Sequence, residues 1–275
     1  MSPYEQVVLP ASELLSENEI QKGLRTSFVG RTIYAFRRVK STSDFAFRVA
    51  EEGALEGTVV LAEEQTAGRG RFGRSWHSPP GVGIWCSVVL RPNMFPWEAP
   101  RITMVAALAV VRAVRNETGL CATLKWPNDV LIRGRKICGI LTELSAEIES
   151  INFIIVGIGL NVNQRETQFP STLRGRATSL RSECGREVSR IRLLRSLFSE
   201  FEETYGHLLG KGFSTLREEI RSHSTILHRT VSVRLKNRVY KGRAIDIDER
   251  GGLVLELSNG RIEHVLAGDV SVDKD

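Results

Sequence analysis

The stretch that most constrains the fold of this chain is the run from Gln65 to Trp76, which reads QTAGRGRFGRSW. Its three glycines lose more conformational freedom on folding than other residues do, and they bury no side chain. Its three arginines repel one another unless an anion lies among them. Guanidinium groups on a pliable backbone bind carboxylates and phosphates in bidentate fashion. The run therefore predicts a loop that closes over an anionic ligand, with a solvated basic turn as the alternative.

The same run contains a G-x-G-x-x-G pattern, formed by Gly68, Gly70 and Gly73. In a dinucleotide-binding fold, a helix begins at the last glycine and an acidic residue follows about 20 positions later. Here the run leads into Pro79-Pro80-Gly81, which cannot begin a helix, and the acidic position falls near Leu90-Arg91. These departures exclude a nicotinamide site. A Walker loop is excluded too, because the chain has no Gly-Lys-Ser/Thr.

Composition limits the class of protein. The chain has 275 residues, long enough for one large and one small domain. Its net charge of +6 favours anionic partners such as nucleotides, nucleic acids or acidic proteins. The four cysteines are widely spaced without a C-x-x-C motif, so neither a disulfide framework nor a zinc site is expected. A reducing, cytoplasmic setting is therefore predicted.

The chain also has no feature typical of secretion or membrane insertion. Its first residues, MSPYEQ, lack the basic and apolar regions of a signal peptide. The longest apolar stretch, residues 105–111, is far too short to span a bilayer. We therefore expect no membrane partner.

Hydrophobic periodicity predicts a mixture of helices and strands in residues 1–226. Helices are expected at residues 12–24, 43–52, 101–116, 191–209 and 214–221. Ser43 would cap the second helix, Gly119 would end the third, and Thr215 with Glu218 would form a capping box on the last. Strands are expected at residues 32–36, 57–63, 82–90, 122–126, 130–133, 137–144 and 152–158.

The pattern changes after residue 226. Short strands are expected at residues 230–235, 240–246, 253–257 and 262–266, separated by turn-forming residues. Four or five short strands within fifty residues predict a small SH3-like barrel. The predicted fold class is therefore α/β (α+β), with a mixed-sheet domain at residues 1–226 and a small β-barrel domain at residues 227–275.

A compact polar turn follows the strand at residues 122–126, in the sequence Lys125-Trp126-Pro127-Asn128-Asp129. Strand ends are where open α/β sheets bind ligands, so Lys125, Asn128 and Asp129 are candidate site residues. An ordinary Pro-Asn-Asp β-turn is the equally weighted alternative.

Lys136 begins an apolar strand in the sequence Arg135-Lys136-Ile137-Cys138-Gly139-Ile140-Leu141. From this motif alone, a lysine that reaches out to solvent is the favoured interpretation. The alternative is a buried cation aimed at a phosphate or carboxylate. Gly139, in mid-strand, would allow a ligand close to the backbone.

Two further motifs are ambiguous by themselves. The sequence GIGLN at residues 157–161 ends a buried strand, and it predicts either a bulge and turn or an Asn161 that reaches a ligand. Residues 41–44, STSD, form a helix-capping cluster, and a helix N-terminus also binds anions and polar groups. The sequence shows no Ser/His/Asp triad and no motif for a directly bound metal.

Taken in order, these motifs resemble those of the biotin protein ligases. The resemblance rests on Ser41-Thr42, on Q-x-x-G-R-G-R-x-G-R-x-W at 65–76, on KWPND at 125–129, on R-K-x-x-G-I-L at 135–141 and on GIGLN at 157–161. It runs from about residue 30 to the C-terminus, where the barrel-like segment matches the small C-terminal domain of the family.

The resemblance implies a two-step reaction. Biotin and Mg²⁺-ATP form biotinyl-5′-adenylate and pyrophosphate, and a lysine of a biotin carboxyl carrier domain, typically in acetyl-CoA carboxylase, then attacks the adenylate. The first step brings a carboxylate and a triphosphate together, so cationic groups must offset their repulsion. A loop that covers the water-sensitive intermediate agrees with the basic run.

The resemblance also assigns roles to residues. The ureido ring of biotin would be held by polar residues of the helix cap and a strand end: Ser41, Thr42, Ser43 and Gln65. The loop over the acyl-adenylate would contain Arg69, Gly70 and Arg71, and Lys136 would bridge the biotin carboxylate and the α-phosphate. Gly139 and Ile140 would form the floor of the biotin pocket.

On the nucleotide and magnesium side, the resemblance places Lys125, Asn128, Asp129 and Asn161. Trp76 would pack against the intermediate and is grouped with them. The residues expected to act in catalysis are Lys136, Arg69, Arg71 and Asp129.

Some members of this family carry an N-terminal winged helix and repress transcription. Forty residues precede Ser41, and a winged helix of roughly sixty residues does not fit there. The expectation is a monofunctional ligase that binds no specific DNA. Exposed sheet edges are expected to pair two copies in a homodimer or to dock the carrier.

Two rival interpretations stay open. A lipoate or octanoate ligase would have a pocket for a simple apolar chain, whereas Ser41, Thr42 and Gln65 favour a ureido ring. A non-enzymatic nucleic-acid-binding module would explain the charge, but it leaves the motifs at 125–129 and 157–161 without a role.

Overall fold

The main sheet of the protein has seven strands and both parallel and antiparallel pairs. The computed structural model describes residues 14–272. The strands are β1 Ile33–Val39, β2 Val59–Gln65, β3 Gly83–Leu90, β4 Thr123–Lys125, β5 Asp129–Ile132, β6 Arg135–Ala146 and β7 Ile151–Asn161. Their order is β1-β2-β3-β7-β6-β5-β4, and among these pairs only β1 and β2 run parallel.

Helices cover both faces of this sheet. They are α1 Glu17–Gln21, α2 Thr42–Glu51, α3 Ala99–Thr118, α4 Leu180–Cys184, α5 Arg190–Lys211 and α6 Ser214–Ser222. Adjacent strand residues point to opposite faces, so Val59 packs with α3 and α5 while Val60 packs with α2. Helices on both faces bury strand β3 completely, since all eight of its residues are buried.

A second sheet of five antiparallel strands follows in the order β11-β10-β9-β8-β12. Its strands are β8 Thr230–Leu235, β9 Arg238–Ile247, β10 Leu253–Leu257, β11 Ile262–Val265 and β12 Asp269–Val272. Four of them were predicted from their apolar runs, and β12 completes the five-stranded arrangement by pairing with β8. The fold class predicted from the sequence is confirmed, whereas the domain boundary near residue 226 stays a prediction.

The two sheets are joined by specific polar contacts. The indole Nε1 of Trp126 donates to the carbonyl oxygen of Gly251 at 2.9 Å. Arg217 on α6 pairs with Asp246 at 2.5 Å and Glu249 at 2.8 Å on the second sheet. The turn between β11 and β12, residues 266–268, lies beside the loop that contains Arg71 and Arg74.

Helix ends differ in detail from the sequence predictions. Ser41, not Ser43, caps α2, because its Oγ accepts the backbone N–H of Asp44 at 3.3 Å. The capping box of Thr215 and Glu218 is wrong: Phe213 precedes α6, and the Thr215 hydroxyl donates to the Gly212 carbonyl at 2.9 Å.

The predicted length of the first helix and the predicted end of the third can also be compared with the structure. The first helix is shorter than predicted, and residues 12 and 13 lie outside the described residues. Gly119 ends α3 as predicted, with a left-handed φ of 74°.

Candidate functional site

A cavity of about 230 Å³ lies where the N-terminus of α2, the basic loop and strands β3, β6 and β7 meet. Thirteen of the predicted residues line it together: Thr42, Ser43, Gln65, Arg69, Gly70, Arg71, Trp76, Asn128, Asp129, Lys136, Gly139, Ile140 and Asn161. The motifs are spread over more than a hundred residues of sequence, and the fold brings them to one place.

One end of the cavity is a cluster of hydroxyl and amide groups. Gln65 Oε1 accepts from both the backbone N–H and the hydroxyl of Thr42, at 2.8 and 3.0 Å, and its Nε2 donates to the Ser78 hydroxyl at 2.9 Å. Ser87 donates to Thr42 Oγ1 at 2.8 Å and lies 3.1 Å from the hydroxyl of Ser43. These bonds hold several donors and acceptors in fixed positions around a small polar pocket.

Ser41 differs from its neighbours in this cluster. Its side chain caps α2, its exposure is 2%, and it does not line the cavity. Ser43 lines the cavity instead, and a Cβ on Gly157 would lie only 2.6 Å from its hydroxyl. The glycine in β7 therefore makes room for Ser43.

Trp76 lies on a strip of glycine backbone. Gly139 on β6 and Gly159 on β7 are register partners, and a Cβ at either would come within 2.8 or 2.4 Å of the indole. Its N–H is buried and has no hydrogen-bond partner in the described part of the chain. The ring therefore packs closely against the backbone of two strands, and its N–H is enclosed there.

Lys136 lies between Trp76 and an acidic side chain. Its Nζ is 2.5 Å from Asp129 Oδ1 and 5.2 Å from the centre of the Trp76 ring. Asp129 begins β5 and pairs in register with Gly139 on the neighbouring strand β6, three residues after Lys136, so the two side chains lie on adjacent strands. The lysine therefore does not simply extend into solvent, since it is aimed into the cavity and held there by a carboxylate and an aromatic face.

Each arginine of the basic loop has its own partner. Arg69 pairs with Asp44 at 2.7 Å and Glu143 at 2.6 Å, and Arg74 pairs with Asp269 on β12. Arg71 donates to Asn128 Oδ1 at 3.0 Å and to the Gly268 carbonyl at 3.2 Å.

Burial lowers the pKa of Arg71, although Asp269 and Asp129 act in the opposite direction. A guanidinium keeps its charge despite such a shift. The loop passes through a three-residue 3₁₀ turn at Arg71–Gly73, and the next element is strand β3, so no α-helix begins at Gly73 as a dinucleotide fold would require.

The two asparagines are both oriented by neighbours. Asn128 accepts from Arg71 and donates to the Ile140 carbonyl at 2.8 Å. Asn161 is 4% exposed and donates to the Thr178 carbonyl at 3.1 Å. Lys125 is not among the lining residues, although it pairs in register with Asp129.

Sequence reasoning missed several residues of the site. Ser78 and Ser87 complete the hydroxyl cluster, and Asp269 reaches the cavity from the second sheet. Phe169, Leu173 and Ala177 line the cavity from the loop after β7. Ser87 follows Ser43 by 44 positions and Asp269 follows Arg74 by 195, so no local pattern could have linked them.

The cavity offers neither a reactive thiol nor a cluster of metal ligands within the described residues. Burial raises the pKa of the Cys86 thiol to about 12, so this cysteine is not a nucleophile at neutral pH. No cluster of three or more His, Cys, Asp or Glu side chains that could hold a metal occurs in residues 14–272.

The fold and the site define a class of ligases that attach biotin or lipoate to proteins. Residues 35–161 match the biotin/lipoate A/B protein ligase family, and residues 226–273 match the biotin protein ligase C-terminal domain.

Relatives narrow the class. The bifunctional ligase/repressor BirA of Bacillus subtilis is 38% identical over 94% of this chain and 79% of its own length. A biotin–[acetyl-CoA-carboxylase] ligase of Mycobacterium tuberculosis is 34% identical over 91% of this chain and 94% of its own. The chain belongs to the biotin protein ligase family.

A solved structure of this family agrees. Biotin protein ligase from Aquifex aeolicus in complex with biotin and ATP is 31% identical, with a TM-score of 0.76 over 89% of this chain and 100% of that one.

Proposed function

We propose that this protein activates biotin with ATP and transfers it to a lysine of a carboxylase carrier protein. The observation that carries the proposal is one cavity lined by three kinds of group: a hydroxyl–amide cluster, the Lys136 ammonium paired with Asp129, and the carboxamides of Asn128 and Asn161. These groups suit a ureido ring, a carboxylate that meets a phosphate, and a nucleotide. The similarity to ligases that act on biotin supports the same function.

In the first step, a carboxylate oxygen of biotin bonds to the α-phosphorus of ATP and pyrophosphate leaves. Lys136 would stabilise the negative charge shared by the carboxylate and the α-phosphate, because its ammonium group is already turned into the cavity. Arg69 and Arg71 would close over the product and keep water out. In the second step, the carrier amine bonds to the acyl carbon, AMP leaves and the amine loses a proton.

The residues present suit magnesium that arrives with ATP. Mg²⁺ is commonly held by one or two carboxylates, substrate phosphates and water. Asp129 and Asp269 both border the cavity, and no larger acidic cluster exists in residues 14–272. We propose that Asp129 faces the ion bound to the triphosphate.

ATP–pyrophosphate exchange tests the proposal, with biotin, lipoate and octanoate supplied in turn. Exchange that requires biotin would support adenylate formation and the substrate together. Exchange with lipoate or octanoate alone would move the chain to the sister class. No exchange from a folded sample with magnesium would contradict the ligase proposal.

Gln65 provides a test of the biotin end of the cavity. Gln65→Ala removes the acceptor for Thr42 and the donor to Ser78, so the polar cluster loses its centre. We expect the KM for biotin to rise about tenfold or more, since one to two hydrogen bonds between the protein and biotin would be lost or misaligned. The KM for ATP should change little. Unchanged KM for biotin in the exchange assay would count against this pocket.

The outer edge of β6 is our candidate surface for the carrier or for a second copy of the chain. Within the described residues, β5 pairs with β6 only as far as Gly139, so residues 141–146 have no strand on that side. An unpaired edge binds another extended segment readily. Sedimentation with and without biotin and ATP would test the homodimer, and a loss of transfer but not exchange in an edge variant would test carrier docking.

Two expectations about partners and location stay predictions. Lack of binding to specific DNA would be contradicted by a gel shift that shows site-specific, salt-resistant binding. A cytoplasmic location rests on the four unpaired cysteines. No helix in residues 14–272 is long and apolar enough to cross a membrane.

A further inference from the structure

Asn161, the last residue of β7, is held by hydrogen bonds at both polar atoms of its side chain. Its Nδ2 donates to the Thr178 carbonyl oxygen at 3.1 Å, and its Oδ1 accepts from Nε2 of Gln164 at 3.0 Å. Asn161 is 4% exposed and Gln164 is fully buried. Asn161 nevertheless borders the cavity, so its carboxamide has one fixed orientation at the cavity wall.

The direction of these bonds follows from the chemistry of the groups. A backbone carbonyl only accepts, so Asn161 must turn its nitrogen toward Thr178. Its oxygen then faces Gln164, which must donate. Turning either carboxamide by half a rotation would bring two oxygens together. The three groups therefore form a chain with a single allowed arrangement.

Packing alone does not explain a glutamine at position 164. Its Oε1 is buried and has no hydrogen-bond partner in residues 14–272, which costs free energy that an apolar side chain of similar volume would avoid. Gln164 also directly precedes the loop of residues 165–178. Its carbonyl oxygen accepts from the hydroxyl of Ser179, which follows the loop, at 2.6 Å, so this bond ties the two ends of the loop together. That loop supplies Phe169 and Leu173 to the cavity wall.

We propose that Gln164 is a positioning residue for ATP binding, which acts by holding the Asn161 carboxamide in its nucleotide-binding orientation. The inference rests on the proposed function, in which Asn161 lies on the nucleotide side of the cavity. Gln164 is not among the residues that line the cavity, so its effect must pass through Asn161.

A double-mutant cycle in the exchange assay tests this mechanism. Gln164→Met keeps the volume and removes the donor, and we expect it to raise the KM for ATP about five- to tenfold, the effect of one misaligned hydrogen bond. The KM for biotin should stay unchanged. In the Asn161→Ala background, Gln164→Met should have no further effect, because the residue it positions is gone.

Two outcomes would contradict a positioning role for Gln164. Equal effects of Gln164→Met in both backgrounds, or parallel rises in both KM values, would mean that Gln164 only stabilises the fold. Thr204→Val is the matched control, since it removes a buried hydroxyl donor on α5 far from the cavity and should leave both KM values unchanged. If Gln164→Met does not fold, Gln164→Asn serves as the second variant. It shortens the side chain by one methylene, which moves the amide donor away from Asn161, and the same rise in the KM for ATP is expected.

Failure of the proposed function would be visible separately. Wild-type protein without biotin-dependent exchange would contradict the ligase proposal, whatever Gln164 does. The positioning can then be followed by NMR of the Asn161 side-chain amide, assigned by its loss in Asn161→Ala. Faster hydrogen exchange of that amide in Gln164→Met is expected, and an unchanged rate would contradict the inference.

Discussion

At the scale of single residues, Lys136 is the side chain on which the proposed chemistry depends most. A lysine at the start of an apolar strand commonly extends to solvent, and the motif by itself favoured this solvent-exposed orientation. In the structure its Nζ lies 2.5 Å from Asp129 and faces the cavity. The charge is therefore in place before any ligand arrives, which is how a preorganised site stabilises charge that develops during a reaction.

We predict that Lys136→Ala abolishes adenylate formation without unfolding the protein. The side chain is 30% exposed and fills no core position, so its removal should leave the free energy of unfolding nearly unchanged. Biotin-dependent exchange should fall on the order of a hundredfold or more, the loss typical of a removed transition-state donor. Lys22→Ala is the control, because that lysine pairs with Glu19 on the surface. Near-normal exchange would mean that Lys136 merely extends to solvent.

Residue types in the site could be predicted where a local pattern contains them, and not where only the fold brings them together. Gln65 and Lys136 lie in recognisable motifs, and both line the cavity. The hydroxyls of residues 41–43 were expected as a set, but the sequence cannot say which of them caps the helix. The structure uses Ser41 for the cap and leaves Ser43 for the cavity.

At the scale of elements, the neighbouring strands β6 and β7 form the floor of the site. Gly139 and Gly159 lie side by side, and the Trp76 indole occupies the space that two Cβ atoms would fill. The sequence indicated close approach at Gly139, because a glycine in mid-strand packs nothing. It could not indicate that a side chain of the same protein, Trp76 from the basic loop, would be the group that approaches.

We predict that Gly159→Ala displaces Trp76 and slows adenylate formation. The added methyl would lie 2.4 Å from the indole Nε1, inside two strands that cannot shift easily. Exchange efficiency, kcat/KM for biotin, should fall on the order of tenfold to a hundredfold because the loop and its arginines move with Trp76. Tryptophan fluorescence should change in parallel.

The matched control is Gly206→Ala on α5. No atom lies within 4 Å of a Cβ there, and the residue is helical. Replacement should raise the free energy of unfolding by about 0.5–1 kcal/mol and leave exchange unchanged. Wild-type kinetics in Gly159→Ala would contradict the idea that the glycine strip seats Trp76.

Helices α3, α5 and α6 are linked by charges that predict a pH dependence. Hydrogen bonds from Arg112 lower the pKa of Glu219 below 4.5, against an opposing effect of burial. A lowered carboxyl pKa stabilises the fold above pH 4.5, and that contribution is lost as the pH falls through the folded-state pKa. Glu200 and Glu203 also face Arg112.

Glu219→Gln should therefore destabilise the protein at neutral pH by about 1 kcal/mol, a value reduced for the partial exposure of the pair. The difference from wild type should shrink below pH 4.5 and vanish in stronger acid. Urea unfolding at a series of pH values measures this. Glu218→Gln is the control, since Glu218 is 85% exposed and lies 3.7 Å from its partner. A difference that persists in acid would contradict the assignment.

Helices and strands were predicted correctly where the hydrophobic periodicity and the residues that end an element indicate the same bounds. The apolar stripe and Gly119 identified α3, and β8 and β10 have the predicted bounds. Strand β12 has only four residues, with Asp269 and Ser271 alternating with valines, so it has no apolar run to mark it. It is recognisable only through its pairing with β8, which no local signal contains.

At the scale of the whole molecule, the small sheet is part of the site rather than an appendage. Trp126 and Arg217 fix it against the larger domain, and the turn that leads from β11 into β12 contacts the basic loop. Arg71 donates to the Gly268 carbonyl, and Arg74 pairs with Asp269. The repulsion among the loop arginines is therefore offset by partners from both sheets, which hold the loop in the position seen in the structure.

We predict that Asp269→Ala loosens this loop. Arg74 is 64% exposed and Asp269 35% exposed, so the pair contributes little to global stability. Its effect should be local: tryptic cleavage after Arg69, Arg71 or Arg74 should become about two- to fivefold faster, as expected for the loss of one solvent-exposed ion pair. Added salt should speed cleavage after Arg74 more in wild type than in the variant, because the variant lacks the Arg74–Asp269 pair that salt would screen.

Glu263→Gln provides the comparison for this experiment. Glu263 pairs with Arg261 on the same small sheet, and neither residue lines the cavity or contacts the basic loop. Its loop cleavage should match wild type. Biotin together with ATP should protect the loop in wild type and, at higher concentrations, in Asp269→Ala, because ligand anions replace the lost carboxylate. Equal cleavage of wild type and Asp269→Ala would show that the small sheet does not hold the loop, and the arginines would then depend on Asp44, Glu143 and Asn128 alone.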